Sequence, residues 1–141
     1  MNLTEKPKQK TQILQEQVNH ALGHHWLIEL YSCKANLLEE VNFVEEHMER
    51  AAVLTGATIV QSNFHQFSPY GVSGVVVIQE SHLTIHTWPE YAYAAIDLFT
   101  CGDTIQPEAG IEYLKSIFEA EEVEVKYLQR GFAHKLKKGK S

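Results

Sequence analysis

The stretch Ser73-Gly74-Val75-Val76-Val77-Ile78-Gln79-Glu80-Ser81-His82-Leu83-Thr84-Ile85-His86-Thr87-Trp88-Pro89 decides how the rest of the chain is read. It holds two β-rich runs, Ser73–Ile78 and His82–Trp88, with polar Gln79-Glu80-Ser81 between them. Pro89 lacks the N–H a ladder needs and ends the second run. Strands joined by so short a turn pair antiparallel. Upstream, Ala57–Ser62 reads as a strand with room to continue through Asn63–Phe67, broken by Pro69-Tyr70-Gly71. Downstream, another strand begins at Tyr91 and runs to Thr100. Trp26–Tyr31 is an apolar-rich run of strand length, and Val123–Leu128 alternates and closes the pattern.

Two helical stripes separate these strands. Asn36 is the cap expected for a helix whose apolar positions are Leu37, Val41, Val44, Met48 and Ala51/Ala52, with Gly56 as its stop. Pro107 suits the first turn of a second helix, with Ile111, Leu114, Ile117 and Phe118 as its buried stripe. The order β-α-β-β-β-β-α-β predicts an α+β fold, a two-layer α/β sandwich with a mainly antiparallel sheet and helices on one face. The uncovered face then needs polar residues or a second protomer.

A chain of 141 residues and 16.1 kDa suits one domain. We expect a polar extension over 1–20, where Ile13, Leu14 and Val18 leave room for a helical turn, then a single domain over 21–134. A basic tail over 135–141 carries Lys135, Lys137, Lys138 and Lys140. The formal charge of −6 argues against nucleic acid as a partner, since phosphate binding needs a clustered positive field. No apolar run approaches the ~18–20 residues needed to span a bilayer, so no membrane partner is expected. The polar first seventeen residues lack the apolar centre of a secretory signal. Two cysteines, Cys33 and Cys101, make no disulfide framework, and the simple expectation is a reducing cytoplasm.

Glu80 to Glu90 packs hydroxyls, imidazoles, carboxylates and an indole into one short segment. Taken alone it is a half-exposed strand with ordinary polar positions. The wider string changes that reading. Pro69-Tyr70-Gly71-Val72-Ser73-Gly74, Glu80 to Glu90, and Ala94-Ala95-Ile96-Asp97-Leu98-Phe99-Thr100-Cys101-Gly102 closely resemble the prokaryotic S-adenosylmethionine decarboxylase proenzymes. The likeness extends more loosely from Gly23-His24-His25 to Arg130-Gly131. Departures are mild: Ala92 stands where glycine is common, and Gln79 precedes the motif's Glu-Ser pair.

The resemblance implies an enzyme that makes its own prosthetic group. The bond Glu80–Ser81 would break, giving a β chain of 1–80 and an α chain of 81–141 that starts with a pyruvoyl group derived from Ser81. That group would form a Schiff base with S-adenosylmethionine and accept the electrons released as CO₂ leaves. The product would be the decarboxylated aminopropyl donor used in spermidine biosynthesis. His86 matches the family's processing proton acceptor, Ser73 a second processing residue, and Cys101 the proton donor of decarboxylation. An ordinary thiol pKa of ~8.5 keeps such a donor protonated near neutrality. Phe67 matches a ring that stacks on adenine, Glu90 a carboxylate that binds the ribose, and Trp88 is a further candidate for the nucleoside.

Spacing adds a constraint of its own. Ser81 and His86 lie ~16 Å apart on a straight strand, at ~3.3 Å per residue, and on opposite faces. Either the chain turns sharply after Ser81, or His86 serves the Ser81 of a partner. The second option predicts a dimer with shared sites, each joining Ser81 and Cys101 of one protomer to Phe67, Ser73, His86 and Glu90 of the other.

Three competing readings remain. A metal site would draw on His24, His25, His65, His82 and His86, but His82 and His86 sit ~13 Å apart on a strand, and no metal is expected. A pyruvoyl-dependent arginine or ornithine decarboxylase would want an acidic pocket in place of Phe67, Trp88 and Glu90. An inactive regulatory paralogue should have lost Ser81 or Cys101, and this chain keeps both.

Overall fold

The computed structural model describes residues 21–140. The 1–20 extension, with the helical turn expected near Ile13, Leu14 and Val18, lies outside the described residues. Strand β1 (Ala21–Tyr31) leads through a 3₁₀ turn (Ala35–Leu38) into helix α1 (Val41–Leu54). Strands β2 (Ile59–Gln66), β3 (Val72–Ile78) and β4 (Ser81–Trp88) follow, then a second 3₁₀ turn (Pro89–Tyr91) and β5 (Tyr93–Cys101). Helix α2 (Pro107–Ile117), β6 (Glu122–Phe132) and a last 3₁₀ turn (Ala133–Lys135) complete the order. The fold is α+β: a six-stranded sheet with every neighbouring pair antiparallel, in the order β2-β3-β4-β5-β1-β6.

Both helices cover one face. Val44 and Met48 of α1 and Leu114 of α2 are buried with Leu30, Ile85, Ile96 and Leu98 of the sheet. The two-residue period of a strand puts them there: along β5, Ala94, Ile96, Leu98 and Thr100 are buried, while the residues between them are not. Phe118, just past α2, is fully buried and locks the helix layer down.

The first helix begins later than Asn36. Leu37 and Leu38 form the 3₁₀ turn instead, and Glu40 is the cap. Its carboxylate accepts hydrogen bonds from the N–H groups of Asn42 (3.0 Å) and Phe43 (2.7 Å), satisfying donors that a helix start leaves without partners. Negative charge there also complements the helix dipole. The stop near Gly56 holds: Thr55 is the C-cap and Gly56 has φ +89°. Strand β1 starts five residues before Trp26 and β6 runs past Leu128 to Phe132, because the two pair along almost their whole length, from Ala21↔Phe132 to Tyr31↔Glu122.

Two contacts fix the strands around the later site. Gly74 of β3 lies beneath the Phe64 ring, where an added Cβ would fall 2.0 Å from a ring carbon. Thr87 of β4 is buried, and its hydroxyl accepts from the Val72 N–H at 2.8 Å while donating to the Leu38 carbonyl at 2.9 Å. That single hydroxyl ties β4 to the start of β3 and to the first 3₁₀ turn.

The face without helices is polar and aromatic. His25 Nε2 and the Thr84 hydroxyl both reach the Asp97 carboxylate, at 3.0 and 3.1 Å, and the Arg130 guanidinium lies 4.9 Å above the Phe99 ring. Burial and the nearby His25 push the His82 pKa below its ordinary value. No helix among the described residues is long and apolar enough to cross a membrane.

Candidate active site

Strand β4 is unbroken from Ser81 to Trp88, and it carries two groups of functional side chains at its two ends. At the first end, Gln79 and Glu80 form the tip between β3 and β4, since Ile78 pairs with Ser81. Glu80 is anchored twice. Its carboxylate accepts the Thr58 N–H at 2.9 Å, and its carbonyl oxygen accepts the Cys101 N–H at 2.8 Å. Ser81 follows with φ +151°, a region that L residues rarely adopt and that costs of order 1–3 kcal/mol when imposed. Cys101 ends β5 with an exposed side chain. A carbonyl carbon polarised by a backbone donor, next to a strained residue bearing a β-hydroxyl, is set up for intramolecular attack.

At the other end, Ser73 Oγ and His86 Nδ1 lie 2.7 Å apart across the β3–β4 ladder, where their residues are registered partners. His65 pairs with Ser73 from the far side, and its ring meets Phe67 edge-on at 4.6 Å. Phe67, 48% exposed, rims a shallow cavity of about 510 Å³ that also takes in Glu39, Glu40, Gln66 and Tyr70. Glu90 projects from the turn after β4 and is exposed. Trp88 stacks on Tyr93 at 5.3 Å, and Tyr93 on Tyr31 at 5.3 Å, along an open aromatic cavity of about 400 Å³ that Tyr91 completes. The Tyr93 and Tyr31 hydroxyls both donate to the Glu29 carboxylate. Burial, with Glu29 beside it, raises the Tyr93 pKa well above the ordinary phenol value.

One chain therefore gathers Glu80, Ser81 and Cys101 at one end of β4, and Ser73, His86, Trp88, Phe67 and Glu90 towards the other. It does not bring the groups together. The continuous ladder also removes a sharp turn after Ser81 from the two options that spacing left open. Of the histidines weighed as metal ligands, His24 bonds to Tyr127, His25 to Asp97 and His86 to Ser73. Among the described residues no three His, Cys, Asp or Glu side chains converge on a common point.

Sequence reasoning did not find the double anchoring of Glu80, whose partners Thr58 and Cys101 are remote in sequence. It also missed Thr100, which is fully buried with its hydroxyl lacking any hydrogen-bond partner among the described residues. An unpaired buried hydroxyl costs about 1–3 kcal/mol and calls for an explanation. A threonine in a β-rich run gives no local sign of such a state.

This sequence and fold have known counterparts. A family model described as S-adenosylmethionine decarboxylase matches residues 24–131, and the chain belongs to that family. Within it, the chain is 57% identical over 111 residues to the S-adenosylmethionine decarboxylase proenzyme of Fervidobacterium nodosum, covering 79% of this chain and 81% of that protein. It is 49% identical over 116 residues to the proenzyme of the same name from Caldanaerobacter subterraneus subsp. tengcongensis, covering 82% and 94%. The crystal structure of the adenosylmethionine decarboxylase from Aquifex aeolicus superposes with a TM-score of 0.74 at 30% identity, over 86% of this chain and 98% of that one.

Proposed function

We propose that this chain is a proenzyme that cleaves itself between Glu80 and Ser81 and then decarboxylates S-adenosylmethionine. The observation that carries the reading is the held state of the Glu80 carbonyl. It accepts the Cys101 N–H at 2.8 Å immediately before a serine in a strained conformation.

In the first step the Ser81 Oγ attacks the Glu80 carbonyl carbon, and the Cys101 N–H receives the negative charge that develops on the oxygen. The carbon–nitrogen bond breaks, leaving an ester and a free Ser81 amine. A base then takes the Ser81 α-proton, and the ester leaves as the Glu80 carboxylate. His86 is suited to that task, with Ser73 holding its Nδ1 side. The dehydroalanine left behind tautomerises to an imine, and addition of water with release of ammonia gives the pyruvoyl group, its ketone oxygen coming from that water. Ser81 fits that origin, because its β-oxygen can serve first as nucleophile and then as leaving group. The pyruvoyl group supplies an electron sink for loss of CO₂ from an amino acid. Around it, Cys101 gives a proton to the decarboxylated carbon, Phe67 offers a ring face to the adenine, and Glu90 accepts hydrogen bonds from the ribose. The Trp88 face adds an attraction for the sulfonium charge.

Because Ser81 and His86 occupy opposite ends of one strand, the working unit is a dimer with two shared sites. Each joins Ser81 and Cys101 of one protomer to Phe67, Ser73, His86 and Glu90 of its partner. The uncovered polar and aromatic sheet face gives a second protomer somewhere to pack. Unpaired Cys33 and Cys101 suit the reducing cytoplasm. The relatives named above favour S-adenosylmethionine over arginine or ornithine as substrate, and the retained Ser81 and Cys101 speak against an inactive paralogue.

Mass spectrometry of the purified protein tests the cleavage. Two chains should appear, 1–80 and 81–141, the second lighter than its serine-started form by one ammonia and gaining two hydrogens with borohydride. An intact chain, or a second chain with an ordinary amine, overturns the reading. Mixing Ser81→Ala with His86→Ala chains tests the sharing. Cleavage should return in the mixed dimer, and its absence there rules out a site built from two protomers.

A further inference from the structure

The buried, partnerless hydroxyl of Thr100 lies in a row of registered residues that crosses the sheet. Ser81 pairs with Thr100, Thr100 with His24, and His24 with Gln129. Registered antiparallel partners present their side chains to the same face. The Ser81/Thr100 pair is also the narrower of the two kinds that alternate along such a ladder. The Cys101 N–H donates to the Glu80 carbonyl, so the bonds flank this pair and do not join it. Cα atoms in that arrangement stand about 4.5 Å apart, with side chains close enough for serine and threonine hydroxyls to bond across the strands. The neighbour on the other side is already engaged. His24 is buried, its Nδ1 lies 2.5 Å from the Tyr127 hydroxyl, and its Nε2 is turned to Asp103 at 3.8 Å. Gln129 Nε2 also lacks a partner among the described residues, but it lies beyond His24, two strands from Thr100, so Ser81 is the adjacent row member left to satisfy Thr100.

We propose that Thr100 is a positioning residue for self-cleavage: its hydroxyl accepts a hydrogen bond from the Ser81 hydroxyl and holds Ser81 Oγ in the rotamer that attacks the Glu80 carbonyl. The two hydroxyls are not bonded in the resting precursor, as the orphan state of Thr100 Oγ1 records. Turning the Ser81 side chain closes the bond. A lone pair on Ser81 Oγ then forms the new bond to the Glu80 carbon, and the carbonyl π pair moves onto the oxygen that faces the Cys101 N–H. As the carbon–nitrogen bond breaks, the proton from Ser81 Oγ ends on the nitrogen. Nothing is oxidised or reduced, and Thr100 emerges unchanged. The unmet hydrogen bond raises the energy of the precursor relative to the attacking arrangement, so the cost of the orphan is recovered on the way to the ester.

This inference rests on the self-cleavage reading, and the experiment separates the two. Wild-type, Thr100→Val, Thr100→Ser and Thr100→Ala chains are followed by intact mass from the moment of synthesis, with and without hydroxylamine, which cuts esters. Thermal unfolding is recorded for each. Valine keeps the shape and removes the orphan, so a merely structural threonine predicts equal or higher stability and unchanged cleavage. We expect Thr100→Val to cleave at least about ten-fold slower, the equivalent of about 1.4 kcal/mol in the barrier, without loss of thermal stability. Thr100→Ser should stay within about three-fold of wild type. Hydroxylamine should not restore cleavage in the valine variant, because its block precedes the ester. Thr100→Ala carries the same cleavage expectations if the valine variant proves insoluble, with about 1 kcal/mol of stability lost to the deleted methyl. Wild-type cleavage with an equally fast valine variant overturns the role of Thr100 alone. So does a serine variant as slow as valine, or rescue by hydroxylamine. A wild-type chain that never cleaves overturns the self-cleavage reading and this inference with it.

Discussion

Replacing Thr87 by valine removes one oxygen and should unsettle two strands at once. In the structure that hydroxyl accepts from the Val72 N–H and donates to the Leu38 carbonyl, and both residues are almost wholly buried, at 1% and 0% exposure. Neither backbone group has water to turn to. Stranding each costs about 1–3 kcal/mol. Valine returns about 1 kcal/mol through the methyl it places in an apolar site. The net loss is about 1–5 kcal/mol, or a fall in Tm of about 3–20 °C for a chain of this size. Thr87→Ser keeps the hydroxyl and loses only a methyl, and should cost about 1 kcal/mol. The assay is urea unfolding followed by circular dichroism, in a Ser81→Ala background so that every chain is a single uncut polypeptide. Midpoints should fall in the order threonine, serine, valine. A valine variant within about 0.5 kcal/mol of its parent, or a serine variant as costly as valine, would show that the hydroxyl does not carry the junction.

Two further outcomes follow from packing and burial. Gly74→Ala drives a methyl group to 2.0 Å from the Phe64 ring, and should cost about 1–3 kcal/mol in the same unfolding assay; in a Phe64→Ala background the penalty should disappear. Burial pushes the Cys33 thiol up to about 11, so the folded chain keeps a proton that the unfolded chain releases above about pH 9. Stability from this group is complete below about pH 9 and declines as pH rises toward 11, and Cys33→Ala should lessen the fall measured between those limits. In the native precursor at about pH 8, iodoacetamide should reach exposed Cys101 and spare Cys33 until the chain is unfolded.

Local pattern revealed the kinds of element well and their lengths less well. The β-rich runs around Gln79-Glu80 and the stripe from Val41 to Ala52 carry their own periodicity, so the hairpin and the first helix could be read directly. The cap could not. Asn36 has the preferred chemistry, yet Leu38 buries completely in a 3₁₀ turn, and the carboxylate of Glu40 takes the capping role two residues further on. The ends of β1 and β6 were hidden for a different reason. Ala21 and Phe132 are held by each other across the sheet, and nothing within either segment announces a partner so remote. The site divides in the same way. Ser81, His86 and Cys101 are candidates through a motif, and the structure adds that Ser73 and His86 touch across the β3–β4 ladder. The Cys101 N–H on the Glu80 carbonyl, and the stranded oxygen of Thr100, depend on register between β4 and β5, which sequence leaves unspecified.

The strand order β2-β3-β4-β5-β1-β6 has an outcome for any break at the tip between Glu80 and Ser81. The leading piece would own β1, β2 and β3, and the trailing piece β4, β5 and β6. Across the sheet the two would then be interleaved, because β1 runs between β5 and β6 like a weft thread between warps. Pulling the halves apart would mean tearing three ladders along their length: β3 from β4, β5 from β1, and β1 from β6. A nick there severs the polymer and leaves the weave whole.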